Sequence, residues 1–225
     1  MKLQGFLDQL LRSATDPGAP AASGTSTTTG VPLGNLGGML NQDFGRGALA
    51  GGALGLLLGR NRTTRKLATY GGLAAIGVMA YRAYGDYQRQ QTGQTIEPQT
   101  IDRLPPPQAE LHSEAILRAL VAAAKADGHV DARERELIEG EFRRVEADRE
   151  LQQWLHAELE KPLDPAEVAG AAAAPEIAAE MYLASLLVVD EQNFMERAYL
   201  DELARRLGID DALKTRLEAQ VRVPA

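Results

Sequence analysis

The sequence predicts an all-α protein with about seven helices in its C-terminal half. From residue 108 onward no stretch alternates apolar and polar residues at the period of a strand. Apolar residues recur there at three- and four-residue spacing, and Gly and Pro stand between the periodic runs as breakers. Leu and Ala are abundant enough for a domain of this size to build its own core, so residues 108–225 are expected to fold alone.

The first helix is expected near 113–126, with Ile116, Leu117, Leu120, Val121 and Ala124 on one face. The second, near 132–147, carries Leu137, Ile138, Phe142 and Val145. The third, near 149–160, carries Leu151, Trp154, Leu155 and Leu159. A short fourth begins at "DPAE", where Asp164 caps, Pro165 occupies the first turn and Glu167 completes a capping box. The fifth, near 175–189, contains "MYLASLLVV", apolar almost all round, as a buried central helix must be. The sixth, near 194–207, stops at Gly208, and the seventh follows Asp210.

Charge divides the chain. Residues 1–106 hold ten Lys/Arg against six Asp/Glu, whereas residues 107–225 hold fourteen against twenty-five. An acidic C-terminal half argues against nucleic acid as a partner, since phosphates require a basic surface. The chain has no cysteine, which excludes disulfides and thiolate metal sites.

The N-terminal half is a different physical object. Residues 1–12 place Leu3, Phe6, Leu7, Leu10 and Leu11 on one stripe of an amphipathic helix, and residues 13–43 have the composition of a flexible linker. In 47–59, "GALAGGALGLLLG", Gly47, Gly51, Gly55 and Gly59 recur every fourth residue. This glycine zipper gives a groove for close helix packing in lipid, including homo-oligomerisation. A second uncharged run, 67–81, follows the basic loop 60–66. Tyr70, Tyr81, Tyr84 and Tyr87 stand near its ends, in the manner of interfacial aromatics.

At 1.5 Å per residue the two runs cover about 20 and about 22 Å, short of the ~20 residues of a comfortable span. The second is the better transmembrane helix, and residues 44–84 are expected to associate with a membrane by one span or a hairpin. The competing expectation is a Gly/Ala-rich helical pair packed on the domain. Residues 85–109, with Pro105, Pro106 and Pro107 in a row, are expected to be an extended spacer before a domain at 110–225.

Two stretches of the acidic half share one plan. "ADGHVDARERELI" (126–138) and "VDEQNFMERAYLDEL" (189–203) each follow an apolar helix with an Asp (Asp127, Asp190), a short polar loop and a capping residue (Asp131, Asn193). A Glu follows three residues later (Glu134, Glu196), as in a duplicated helix–loop–helix unit. Capping boxes account for Asp131 with Glu134 and for Asn193 with Glu196. They do not account for Asp127 and Asp190, which meet the negative end of a helix dipole. A divalent cation would remove that conflict. Oxygen ligands suit Ca²⁺, Mg²⁺ or Mn²⁺, and His129 would suit Zn²⁺. Both explanations stand, and the metal reading names Asp127, Asp131, Glu134, Asp190 and Glu196. It further expects the fifth helix to run beside the first, bringing the two turns to one side.

"LVAAAKADGHVDARERELI" and "VVDEQNFMERAYLDELARRLGI" resemble the tellurite-resistance B-like (TerB-like) domain. The whole chain resembles small bacterial inner-membrane proteins of the YebE-like type. The resemblance implies an all-helical domain whose acidic turns bind metal, with the five residues above at the motif positions, and it implies location at the inner membrane.

No Ser/His/Asp or Cys/His arrangement suggests catalysis, and no phosphate loop is present. His112 and His156 read as solvated helix residues. The functional expectation is a non-enzymatic, membrane-anchored module that presents an acidic, cation-responsive helical domain to a protein partner. The alternative is a metal-dependent hydrolase using the acidic cluster.

Overall fold

The computed structural model describes residues 73–93, 97–126, 136, 149–189 and 193–222. Among the described residues there are seven helices and no strand: α1 (Leu73–Thr92), α2 (Pro106–Ala124), α3 (Arg149–Glu160), α4 (Pro165–Ala169), α5 (Pro175–Val188), α6 (Phe194–Arg206) and α7 (Asp211–Arg222). Of the expected second helix, near 132–147, only Glu136 is described.

Helix α5 is the hub. Every residue from Ile177 to Val188 is buried, as its apolar circumference requires, and α1, α2, α6 and α7 pack around it. Its most extensive partner is α2. Two contacts set their relative direction. His112 meets Glu180 at 2.5 Å, and one to two turns further along both helices Ser185 Oγ comes within 3.5 Å of Ala119 O. Residue numbers rise together, so α2 and α5 run parallel, as expected of the first and fifth predicted helices.

Local signals fix the helix ends. Asp164 Oδ1 accepts from the Ala166 N–H at 2.8 Å, with Pro165 in the first turn of α4. Asn193 Oδ1 accepts from Met195 N at 2.9 Å and starts α6. Gly208 ends that helix at φ +69°, and the Ile209 N–H reaches back to Ala204 O at 2.9 Å in a Schellman arrangement. Asp210 Oδ1 then accepts from Leu213 N at 2.8 Å to begin α7.

The principal departure from expectation is α1. Residues 73–81, most of the second uncharged run, begin a helix that packs on α5 and α7. Leu73, Ile76, Gly77, Ala80, Ala83 and Tyr84 form its buried face at helical spacing. Of the tyrosines expected as membrane-interface anchors, Tyr70 lies outside the described residues, and Tyr81, Tyr84 and Tyr87 are domain contacts. Tyr84 is in the core, Tyr81 lies under the Arg103 guanidinium at 3.8 Å, and the Tyr87 hydroxyl donates to Asp210 Oδ2 at 2.6 Å. No helix among the described residues is long and apolar enough to cross a membrane. The glycine zipper at 47–59 and residues 1–12 lie outside the described residues.

The expected spacer is also part of the fold. Pro105 is the N-cap of α2, and Pro106 and Pro107 form its first turn, where a missing N–H costs nothing. The helix therefore starts well before residue 113. Upstream, Thr100 and Ile101 are buried, and the Ile101 N–H donates to Glu180 Oε1 at 2.6 Å. The compact domain thus begins at or before Leu73, and the expectation that residues 108–225 fold alone omits a helix covering α5 and α7.

Gly77 shows how closely this linker approaches. A Cβ at that position would lie 2.5 Å from Asp102 Oδ1 and 3.0 Å from both Asp102 N and Ile101 Cγ2. At Gly85 the nearest atom would be Pro98 Cγ at 3.6 Å, an ordinary contact. In an exposed helix, Gly→Ala stabilises by about 1 kcal/mol. Gly85→Ala should show that gain in urea unfolding. Gly77→Ala should instead lose about 1–2 kcal/mol, because overpacking displaces the linker. Equal stabilisation of both variants would show that residues 101–102 are not seated against α1.

Candidate cation site at the paired helix ends

The parallel pairing of α2 and α5 brings two helix C-termini to the same end of the domain. Helix α2 closes with the Lys125 N–H on Ala122 O and the Ala126 N–H on Ala123 O, each at 3.1 Å. Helix α5 closes with the Val189 N–H on Ser185 O at 3.1 Å, where the backbone turns extended. Each helix presents the negative end of its dipole there. The last turns of α1, α6 and α7 carry Arg89, Arg205 with Arg206, and Arg222. The last turns of α2, α3, α4 and α5 have no basic residue.

The nearest Lys along the chain serves another helix. Lys125 Nζ donates to Glu158 O at 2.9 Å and to Lys161 O at 2.5 Å, capping the C-terminus of α3. Beside it, Lys161 Nζ pairs with Glu158 at 2.7 Å and Glu167 at 2.9 Å. Arg118 stands 3.6 Å from Glu158 and 5.9 Å from the Trp154 ring centroid.

Of the five sequence-derived ligands, Glu196 is described. It occupies the first turn of α6, where Asn193 Nδ2 donates to its Oε1 at 3.1 Å, so Asn193 and Glu196 form a capping pair. Asp127, Asp131, Glu134 and Asp190, together with His129, lie outside the described residues. Among the described residues no group of three or more His, Cys, Asp or Glu could hold a metal ion. The chain enters the first turn from Ala126, 3 % exposed, and the second from Val189, 2 % exposed. Both residues belong to the apolar core.

The histidines divide. His156 is exposed on α3, 3.6 Å from Glu160, in line with its reading as a surface residue. His112 is not solvated: it is buried on the face of α2 that carries Ala109 and Ile116, with Nδ1 2.5 Å from Glu180 Oε2. Glu180 is fully buried, and that desolvation pushes its carboxyl above the usual range, against the opposing effect of His112. Sequence reasoning missed this couple. The available signal was Glu180 itself, an acid one residue ahead of a helix segment apolar on every side, which demands a partner.

Comparison with known proteins adds membership without an activity. Residues 43–221 match the family model described as "Protein of unknown function (DUF533)". A Yersinia enterocolitica protein described as "Uncharacterized protein in ampR 5'region" is 34% identical over 107 residues, which is 48% of this chain and 77% of the relative. No solved structure matches the chain. The family match spans the Gly-rich run, the first six described helices and α7 as far as Val221, and the chain belongs to the DUF533 family of proteins of unknown function.

Proposed function

We propose that the protein is a non-enzymatic module of TerB-like type whose acidic helical domain binds a divalent cation and presents the loaded surface to a protein partner. The ligands are the carboxylates of Asp127, Asp131, Glu134, Asp190 and Glu196, gathered at the common end of α2 and α5. The observation that carries the reading is the parallel pairing of those helices, whose C-terminal dipoles meet without a basic residue in either last turn. Asp127 and Asp190, drawn together there, would add repulsion of roughly 1 kcal/mol or more per close pair. Oxygen-only ligation favours Ca²⁺, Mg²⁺ or Mn²⁺ over softer metals.

With α1 committed to the domain, attachment to the bacterial inner membrane falls to the chain ahead of Leu73. There Gly47, Gly51, Gly55 and Gly59 would pack helix on helix, as a YebE-like architecture implies.

Thermal melting of residues 73–225 with EDTA or with each cation tests the site. Binding to the native state raises the melting temperature with cation concentration. Asp127→Asn combined with Asp190→Asn should abolish the response. A parent indifferent to every cation, or a double variant that responds equally, would leave the carboxylates as caps and turns.

A further inference from the structure

We propose that the His112–Glu180 couple is a proton-dependent latch that holds the 97–105 linker, and through it α1, on the domain. Three elements meet at one buried carboxylate. Helix α5 supplies Glu180, 0 % exposed; α2 supplies His112 Nδ1 at 2.5 Å; and the linker supplies the Ile101 N–H at 2.6 Å. The linker has its own lock, Thr100 Oγ1 donating to Asp102 Oδ1 at 2.6 Å, and it abuts α1 at Gly77. Residues 97–105 belong to the connection between α1 and α2 and abut α1 at Gly77, so their seating bears on how α1 sits.

The charged and titratable groups around α5 are few in kind. His112 faces Glu180 from α2, and Asp102 faces it from the linker with repulsive sign. Arg103 pairs with Asp102 at 3.6 Å while lying over Tyr81 of α1. Tyr84 of α1 senses Glu176, one turn ahead on α5. From α7, Glu218 accepts from the Tyr182 hydroxyl at 3.1 Å, and from α6 Tyr199 lies by Ser185.

With one proton between Glu180 Oε2 and His112 Nδ1, the couple is electrically neutral and both carboxyl oxygens have a hydrogen-bond partner. When that proton leaves, a net negative charge remains in the core, held by neutral donors and repelled by Asp102. The latch is therefore tight when protonated and slackens as pH rises. Burial of Glu180 acts with the same sign: a carboxyl raised above its unfolded value adds stability that is full below the ordinary carboxylate range. That stability is lost as pH climbs through the folded value.

The test is amide exchange of the full chain from about pH 5 to about pH 9, corrected for intrinsic exchange. Protection of the Ile101 amide should fall about tenfold per pH unit across the window where the proton is lost, while that of Leu183 in α5 holds. In Glu180→Gln, whose amide oxygen can still accept from Ile101, that slope should vanish. A flat parent profile, a slope that survives in Glu180→Gln, or parallel loss at Leu183 would overturn the latch. Should Glu180→Gln not fold, the Glu180 side-chain carboxyl signal in the parent decides by nuclear magnetic resonance: its midpoint must match that of Ile101 protection, and a different midpoint refutes the proposal.

Discussion

A fragment beginning at residue 108 should show helical circular dichroism but no cooperative melt, whereas one beginning at residue 73 should melt as a unit. The difference is the apolar surface of α1 and its linker. Leu73, Ile76, Tyr84 and Ile101 are 4 %, 0 %, 8 % and 3 % exposed. Burial of a large apolar side chain contributes about 1.5–3 kcal/mol, so these four account for roughly 6–12 kcal/mol. That is comparable with the whole stability of a typical domain, about 5–15 kcal/mol. Truncation also uncovers α5 and α7 and removes the Tyr87–Asp210 hydrogen bond. Binding of a hydrophobic dye by the shorter fragment would report the uncovered faces. A shorter fragment that melts sharply at the same temperature as the longer one would show that α1 is an accessory.

Replacing Glu180 with Ala should be the most damaging single substitution in the described core, costing about 3–5 kcal/mol in urea unfolding. It removes the acceptor of the buried Ile101 N–H and the partner of the buried His112 together, and it leaves a cavity between α2, α5 and the linker. Glu180→Gln, which retains an oxygen for Ile101, should cost clearly less. Equal losses from the two variants would mean that the carboxylate fills space and holds nothing.

The features legible in sequence were those written within a few residues. Asp164 with Pro165, Asn193, Gly208 and Asp210 placed the ends of α4, α6 and α7, because caps and breakers act over one turn. The all-apolar segment of α5 identified the central helix for the same reason. What failed depended on distant partners. Ile101 and Glu180 are separated by 79 positions and His112 and Glu180 by 68, so no local pattern marks the linker as buried.

The described part of the second uncharged run, residues 73–81 at the start of α1, packs on the domain for a different physical reason. Its Ala and Gly residues leave an uncharged stretch that resembles a membrane segment, yet those small side chains let α5, α7 and the linker approach closely. The triple proline was read as a break although it occupies an N-cap and first turn, where Pro is favoured. At the candidate site, the pairing of its two helices was legible, while most of the repeated turn plan lies outside the described residues. Convergence of the carboxylates is a tertiary property that local spacing does not encode, and of the five Glu196 is the one described, paired with Asn193.

The central claim, a cation held where α2 and α5 end together, is tested most directly by titrating Mn²⁺ into residues 73–225 and following the free ion by electron paramagnetic resonance. The account predicts that the protein removes the free signal in a saturable manner and that Ca²⁺ or Mg²⁺ restores it by competition. Asp127→Asn with Asp190→Asn should leave the signal of the free ion intact. A parent that fails to deplete the signal, or a double variant that depletes it equally, would contradict the account.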